Sequence, residues 1–182
     1  MRIVSMKPKV DKLVSEKCVL RAMTKSDIPV CCKWFNDDHV LQYSEHRSRG
    51  YTREQQAMVY EDILNDPSKV QFMIVESKRS IRVGVISFVV SSGDGSAAIS
   101  IIIGERQYWG QGIATTAIEE LIRYATKHHN ITRFTACTDV RNYGSQKAFE
   151  NNGFVMLEVL PKSIQYLDEE GLRDSVRLEK VI

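Results

Sequence analysis

The apolar positions along the chain change period more than once, and those changes divide it into extended and helical stretches. "KCVLRAM" (17–23) alternates as a strand does. In "TKSDIPVCCKWFNDD", Thr24 or Ser26 supplies a helix N-cap, and Ile28, Cys31, Cys32 and Phe35 fall on helical spacing. "HVLQYSE" reads as a second, short helical piece before the loop "HRSRGY". Thr52 with Glu54 and Gln55 then caps "TREQQAMVYEDILND", where Met58, Ile63 and Leu64 form an apolar stripe. From Val70 the period falls to two. "VQFMIVES", "IRVGVISFVV" and "AAISIIIG", separated by the turn-forming "SKRS" and "SSGDGS", predict an antiparallel meander. A helix over 112–127 follows, with Ile113, Ala117, Ile118, Leu121, Ile122 and Ala125 on one face and Glu119, Glu120 and Arg123 on the other. "ITRFTACTD" is a further strand, and "NYGSQKAFENNGF" a short helix closed by Asn152 and Gly153. "VMLEVL" and "DSVRLEKV" are the last strands, joined through "DEEG". The order β–α–α–β–β–β–α–β–α–β–β predicts a mixed α/β sheet; a doubly wound domain would alternate strand and helix throughout.

Composition narrows the class. With 182 residues, 43% hydrophobic and 26% charged, the chain is expected to be a single soluble globular domain. A net charge of +2 carries no basic patch of the kind nucleic acid or a polybasic membrane contact needs. No apolar run approaches the roughly 20 residues of a membrane span, and the first ten residues lack the apolar stretch of a secretory signal. Cys18, Cys31, Cys32 and Cys137 have no metal spacing and suit reduced thiols in a cytoplasmic protein, so no metal is expected.

The unusual stretch is "QYWGQGIATTAIEELI". Here a β-rich run meets Gly110-x-Gly112 directly before a helix. The first turn of a helix presents unpartnered N–H groups and a partial positive charge. Glycines there remove the Cβ atoms that would hold a phosphate away from the backbone. Arg106, Gln107 and Gln111 add nearby side-chain donors. The residues alone leave three readings: a tight packing turn, a dinucleotide-binding turn, or a diphosphate cradle of another kind. For a dinucleotide turn, Thr115 holds the third glycine position, and Asp139, a tempting ribose ligand, lies farther on than the usual ~20 residues.

Gln107-Tyr108-Trp109-Gly110-Gln111-Gly112 resembles the pyrophosphate motif Arg/Gln-x-x-Gly-x-Gly/Ala of the GNAT superfamily of N-acetyltransferases. Its continuation "IATTA" looks like the RimJ/RimL-type branch, typified by ribosomal-protein N-terminal acetyltransferases. Downstream, Asn142 to Phe154 resembles the family's Asn-x-x-Ser/Ala-x-x-x-Tyr/Phe-x-x-x-Gly-Phe segment at every anchor. Two motifs in order, separated by one helix and one strand, are far more specific than either. The likeness covers 70–154 well. The N-terminal third matches by helix order and by "WFNDDHV", which looks like the branch's Trp-x-Asn-Asp-Pro-x-Val with His39 in place of proline.

The resemblance implies a GNAT-like fold over 1–182: a mostly antiparallel sheet splayed at the cofactor site and flanked by about four helices. Residues 24–66 would cover the acceptor and 70–154 would form the acetyl-CoA-binding core. Acetyl-CoA would lie on the turn, held by Gln107, Trp109, Gly110, Gln111, Gly112, Ile113, Ala114 and Thr115. Its pantetheine arm would run along Ile101, Ile102 and Ile103 towards Asn142, Ser145 and Phe149. An acceptor amine then attacks the thioester directly, which requires a neutral amine, an oxyanion donor and a proton for the thiolate. Where family enzymes often carry a tyrosine acid this chain has Phe149, which cannot donate. The branch's serine near the sulfur is Ser145, the expected acid, with Tyr143 as a spare donor. Glu105 and Glu45 are the expected bases; Glu158 lies one residue beyond the branch's glutamate position, which Leu157 fills. Glu45, His46, Arg47 and Arg49 share one loop, where arginines suit an acceptor's phosphate or carboxylate. A small-molecule amine is the expected acceptor, with a protein N-terminus as the alternative. A silent acyl-CoA-binding module and a nucleotide-dependent oxidoreductase are the rivals from other classes. The fold also admits a homodimer through its last strand.

Overall fold

The period-two runs become the strands of one eight-stranded sheet in a computed structural model that describes residues 8, 12–45, 50–165 and 171–182. The strands are β1 (Lys12–Val14), β2 (Cys18–Ala22), β3 (Lys69–Glu76), β4 (Arg82–Val90), β5 (Ala97–Ile103), β6 (Arg133–Asp139), β7 (Val155–Gln165) and β8 (Leu172–Val181). Their spatial order is β1-β2-β3-β4-β5-β6-β8-β7, and every pairing is antiparallel except β5 with β6. The described residues add four α-helices: α1 (Ile28–Trp34), α2 (Arg53–Asn65), α3 (Ile113–His129) and α4 (Tyr143–Glu150). The meander β3–β4–β5 is as expected; β1 is an addition, too short for its alternation to register in the sequence.

β3 and β4 are apolar almost without interruption because both faces are covered. Phe72, Ile74 and Phe88 join the cluster under α3, while Met73 and Val85 pack with Cys31 and Trp34 of α1. α3 buries Ile113, Ala117, Ile118, Leu121, Ile122 and Ala125, the face its spacing predicts. Each of the isoleucines and the leucine contributes roughly 1.5–3 kcal/mol on full burial, and each alanine methyl less than about 1 kcal/mol. Glu120 departs from expectation: it is buried, and its carboxylate pairs with Arg123 one turn on.

Two local expectations fail. "HVLQYSE" forms consecutive turns, with Leu41 N–H bonded to Asp37 O and Ser44 N–H to Leu41 O. A lone turn fixes several dihedrals for one hydrogen bond, and here buried Leu41 and partly buried Val40 anchor the segment by packing without extending it as helix. In α2, Met58 points to solvent and the buried positions are Gln56 and Tyr60. The cap is as expected, since Thr52 Oγ1 accepts from Gln55 N–H and Gln55 Oε1 from Thr52 N–H.

The sheet parts where its one parallel pairing stops. β5 and β6 pair only at Ala97 with Phe134 and Ala98 with Thr135. Beyond those residues β5 stays on β4 as far as Ile103, and β6 stays on β8 as far as Asp139. A wedge therefore opens between the C-terminal halves of two central strands. One side ends on the glycine turn, the other on the N-terminus of α4.

Candidate active site

The register assigns the wedge's first wall. Gly104 N–H donates to Val83 O at 2.8 Å, which makes Gly104/Val83, and then Ile102/Val85, the hydrogen-bonded pairs. Ile101 and Ile103 fall on the alternate positions, so their backbone groups face the wedge. The Ile103 carbonyl is already taken: Trp109 Nε1 donates to it at 2.8 Å. Ile101 is thus the residue whose N–H and C=O face the wedge; Ile102 faces β4. This narrows the expectation that all three isoleucines offer edge groups.

After Ile103 the chain turns sharply. Gly104 has no room for a side chain, since a Cβ there would lie 2.1 Å from the Trp34 ring. A short 3₁₀ turn, Arg106–Tyr108, leads to Gly110 (φ 71°) and Gly112 (φ 78°), both left-handed. Gln111 Nε2 closes the loop on Gln107 O at 2.6 Å. Gly112 N-caps α3, whose first turn places the N–H groups of Ile113, Ala114 and Thr115 beside the turn. Ile113 buries its side chain at 4% exposure, so it can offer only backbone here. Gly110 faces open space, and a Cβ on Gly112 would come within 2.7 Å of Lys17 Nζ. This is a cradle that side chains would fill, and it fits a diphosphate.

The other wall begins with Asp139, fully buried and bonded by Arg141 through Nε (2.9 Å), Nη2 (2.7 Å) and its backbone N–H (2.7 Å). A carboxylate so committed is no ribose ligand, which removes the support Asp139 gave to a dinucleotide turn. Asn142 N-caps α4, its Oδ1 accepting from Ser145 N–H at 3.1 Å. Asn142 and Ser145 are half-buried, and Tyr143 is exposed. Phe149 is 3% exposed and packs edge-on against Phe154 at 5.0 Å, in the main core. Its ring belongs to the floor of the domain and lines no open wall. At the far end of α4, Asn152 Nδ2 donates to Thr115 O at 3.0 Å, tying the second motif to the first turn of α3.

Three contacts joining distant parts of the chain were invisible to motif reading. Glu105 Oε1 accepts from Lys33 Nζ (2.8 Å) and Trp34 Nε1 (2.9 Å). Burial raises its pKa, but these two bonds and the Lys33 charge outweigh it and hold the carboxyl below its ordinary range. The Arg141 guanidinium lies 5.8 Å from the centre of the Tyr43 ring, which brings Tyr43, two residues before Glu45, against the segment that leads into α4. Lys17 Nζ donates to Gln111 O at 3.0 Å across the sheet edge. His46, Arg47 and Arg49 lie outside the described residues.

Glu158 also gains an explanation. The β7–β8 register slips between Met156 and Glu158, so that Glu158, not Leu157, stands opposite Arg177 and pairs with it at 2.9 Å. Leu157 is a bulge residue, and the bulge restores Glu158 to the register that an uninterrupted strand would give position 157. Among the described residues no cluster of His, Cys, Asp and Glu could hold a metal.

Comparison with known proteins agrees with this geometry. The chain is 27% identical over 150 residues to "uncharacterized N-acetyltransferase p20" of Bacillus licheniformis, covering 80% of this chain and 83% of that one. A ribosomal L7/L12 α-N-protein acetyltransferase, RimL, solved with coenzyme A, superposes with a TM-score of 0.83 at 19% identity, over 93% of this chain and 97% of that one. Spermidine N-acetyltransferase from Vibrio cholerae, solved with CoA and spermine, gives 0.81 at 18% identity, over 92% and 96%. Residues 17–155 match the model of the acetyltransferase (GNAT) domain, and the chain belongs to the GNAT acetyltransferase family.

Proposed function

We propose that this protein transfers an acetyl group from acetyl-CoA to the primary amine of a small molecule by direct attack on the thioester. The observation that carries this is the wedge past Ala98 and Thr135. It has a free strand edge at Ile101, a diphosphate cradle at one end and the capped start of α4 at the other. Acetyl-CoA supplies the acetyl group in activated form.

The chain's own residues divide the remaining work. The turn Gly110–Gly112 and the first N–H groups of α3 hold negative charge. Ile101 offers backbone groups to an extended arm, as an added strand would require. Ser145, on a helix start fixed by Asn142, donates the proton to the departing sulfur. Glu105, held ionised by Lys33 and Trp34, is a poor proton acceptor and instead fixes the strand end to α1. Glu45, two residues past the Tyr43 ring that meets Arg141, is assigned the proton of the amine.

The acceptor assignment draws on Arg47 and Arg49, which suit an anionic group on a small amine. The two structural neighbours named above act on a polyamine and on a protein N-terminus, so a peptide amine is the competing substrate. All four cysteines are free thiols, which supports a cytoplasmic setting. The last strand, β8, is paired on both sides and offers no edge to a second copy; exposed Val155, Met156, Leu157 and Val159 on the edge strand β7 support a homodimer there instead.

The test is release of CoA thiol from acetyl-CoA with amino acids, nucleotide amino sugars, polyamines and peptide N-termini offered separately. Release with amino acids or amino sugars supports the proposal. Release with peptides alone moves the acceptor to a protein. Binding of acetyl-CoA without release for any class favours a silent acyl-CoA module.

A further inference from the structure

Lys17 sits in the bend between β1 and β2, far in sequence from the glycine turn and exposed. Its backbone is fixed from both sides. The next residue, Cys18, is fully buried in the cluster that also holds Ile113, and Ser77 N–H bonds to Lys17 O at 3.2 Å. From that anchored position its ammonium reaches Gln111 O at 3.0 Å, and it lies 2.7 Å from the point a Cβ would occupy on Gly112.

A lone cation is disfavoured there. The N-terminus of a helix carries about half a positive charge, with its first N–H groups pointing outward. α3 is 17 residues long and has no acidic residue in its first turn to compensate. Among the described residues Lys17 forms no ion pair, and a single backbone carbonyl accepts from it. Two converging sources of positive potential become favourable when an anion occupies the space between them. Beside them the turn stays open at Gly110, where a Cβ would meet nothing within 4 Å.

We propose that Lys17 is a ligand of the coenzyme A diphosphate, closing the cradle from the β1–β2 hairpin opposite the backbone N–H groups of α3. This rests on the acetyl-CoA reading given above. The backbone cradle recognises shape and hydrogen-bonding direction, whereas Lys17 adds a full charge. Coenzyme affinity is thereby coupled to a hairpin that lies outside both glycine-containing motifs.

Isothermal titration of the wild type, Lys17→Met and Lys17→Arg with CoA and with dephospho-CoA, at low and high salt, tests this. Lys17→Met keeps the length of the side chain and removes its charge. It is expected to weaken both ligands equally, by about tenfold at low salt, the lower end for a hydrogen bond to a charged group. Lys17→Arg is expected to stay within about threefold of wild type, and the salt dependence of binding to flatten only in Lys17→Met. Unchanged affinity in Lys17→Met overturns the proposal. A loss confined to CoA also overturns it, assigning Lys17 to the 3′-phosphate instead. Wild-type protein that binds neither ligand would remove the coenzyme reading itself, a result distinct from either.

Discussion

Replacing Gly112 by alanine separates the two things this glycine does. Its φ of 78° lies in the left-handed region, where an L-residue costs about 1–2 kcal/mol. The new methyl would come within 2.7 Å of Lys17 Nζ, but that is the tip of an exposed, flexible side chain and can move at little cost. Strain therefore dominates the folding effect, and the melting temperature is expected to fall by about 2–8 °C for a domain of this size. Binding should suffer separately. The methyl displaces Lys17 Nζ and crowds the turn on which the diphosphate is proposed to lie, and losing one charge-assisted hydrogen bond of about 1.5–3 kcal/mol weakens CoA by about 10- to 150-fold. Gly95→Ala, in the turn between β4 and β5, supplies the control. Its φ is 71° and a Cβ there meets nothing within 4 Å, so it should reproduce the thermal shift with CoA affinity unchanged. Differential scanning calorimetry and isothermal titration read the two effects independently. Gly112→Ala with the strain visible in the melting temperature but CoA affinity within about twofold of wild type, under 0.5 kcal/mol, would refute the placement of the diphosphate on this turn.

Other outcomes follow from the same geometry. Ser145→Ala should lower kcat by about 10²- to 10⁴-fold while leaving acetyl-CoA affinity nearly intact; an unchanged kcat would remove Ser145 as the acid. Glu105→Gln should cost about 1 kcal/mol of stability, through its bonds to Lys33 and Trp34, and leave the shape of the kcat–pH profile unaltered. If the profile's acidic limb disappears, Glu105 is the base after all. Phe149→Tyr would place a hydroxyl in a core site of 3% exposure; denaturant unfolding should show a loss of about 1–3 kcal/mol without a gain in kcat. Burial pushes the Asp27 pKa up, but hydrogen bonds from Arg21, Thr24 N–H and Arg82, together with the Arg21 charge, overcome it and hold it at about 2, against an ordinary 3.8. Because the folded value is the lower one, Asp27 stabilises the fold above its unfolded pKa and loses that contribution as pH falls from about 4 through about 2. Asp27→Asn should abolish that component, about 2 kcal/mol, in stability measured between pH 6 and pH 2.

The elements with a strong local signal are legible in the residues themselves. Period-two runs mark β3, β4 and β5, helical spacing marks the buried face of α3, and Thr52 with Gln55 sets the start of α2. The two motifs also mark both ends of the site, because a helix that opens on left-handed glycines and one capped by asparagine are local chemistry. Local pattern misleads where tertiary neighbours decide. Met58 and Gln56 have the reverse burial of their hydrophobicity, since what covers α2 is set by α1 and β3. The turns around Asp38–Glu45 have helical spacing, but buried Leu41 holds them as turns against the core.

By itself, then, the sequence determined the strongly patterned strands and helices and marked Gly110–Gly112 as a turn suited to an anion, one of three readings among which only the family resemblance chose. Only the tertiary structure decided how the two halves of the site meet. The wedge exists because one parallel pairing stops after Ala98 and Thr135, a long-range register that no local pattern encodes. Lys17 reaches Gln111, Trp34 holds Glu105, and Tyr43 stacks by Arg141 for the same reason. A contact between residues distant in the chain depends on how sheet and helices pack, and neither partner's neighbours in sequence carry that information.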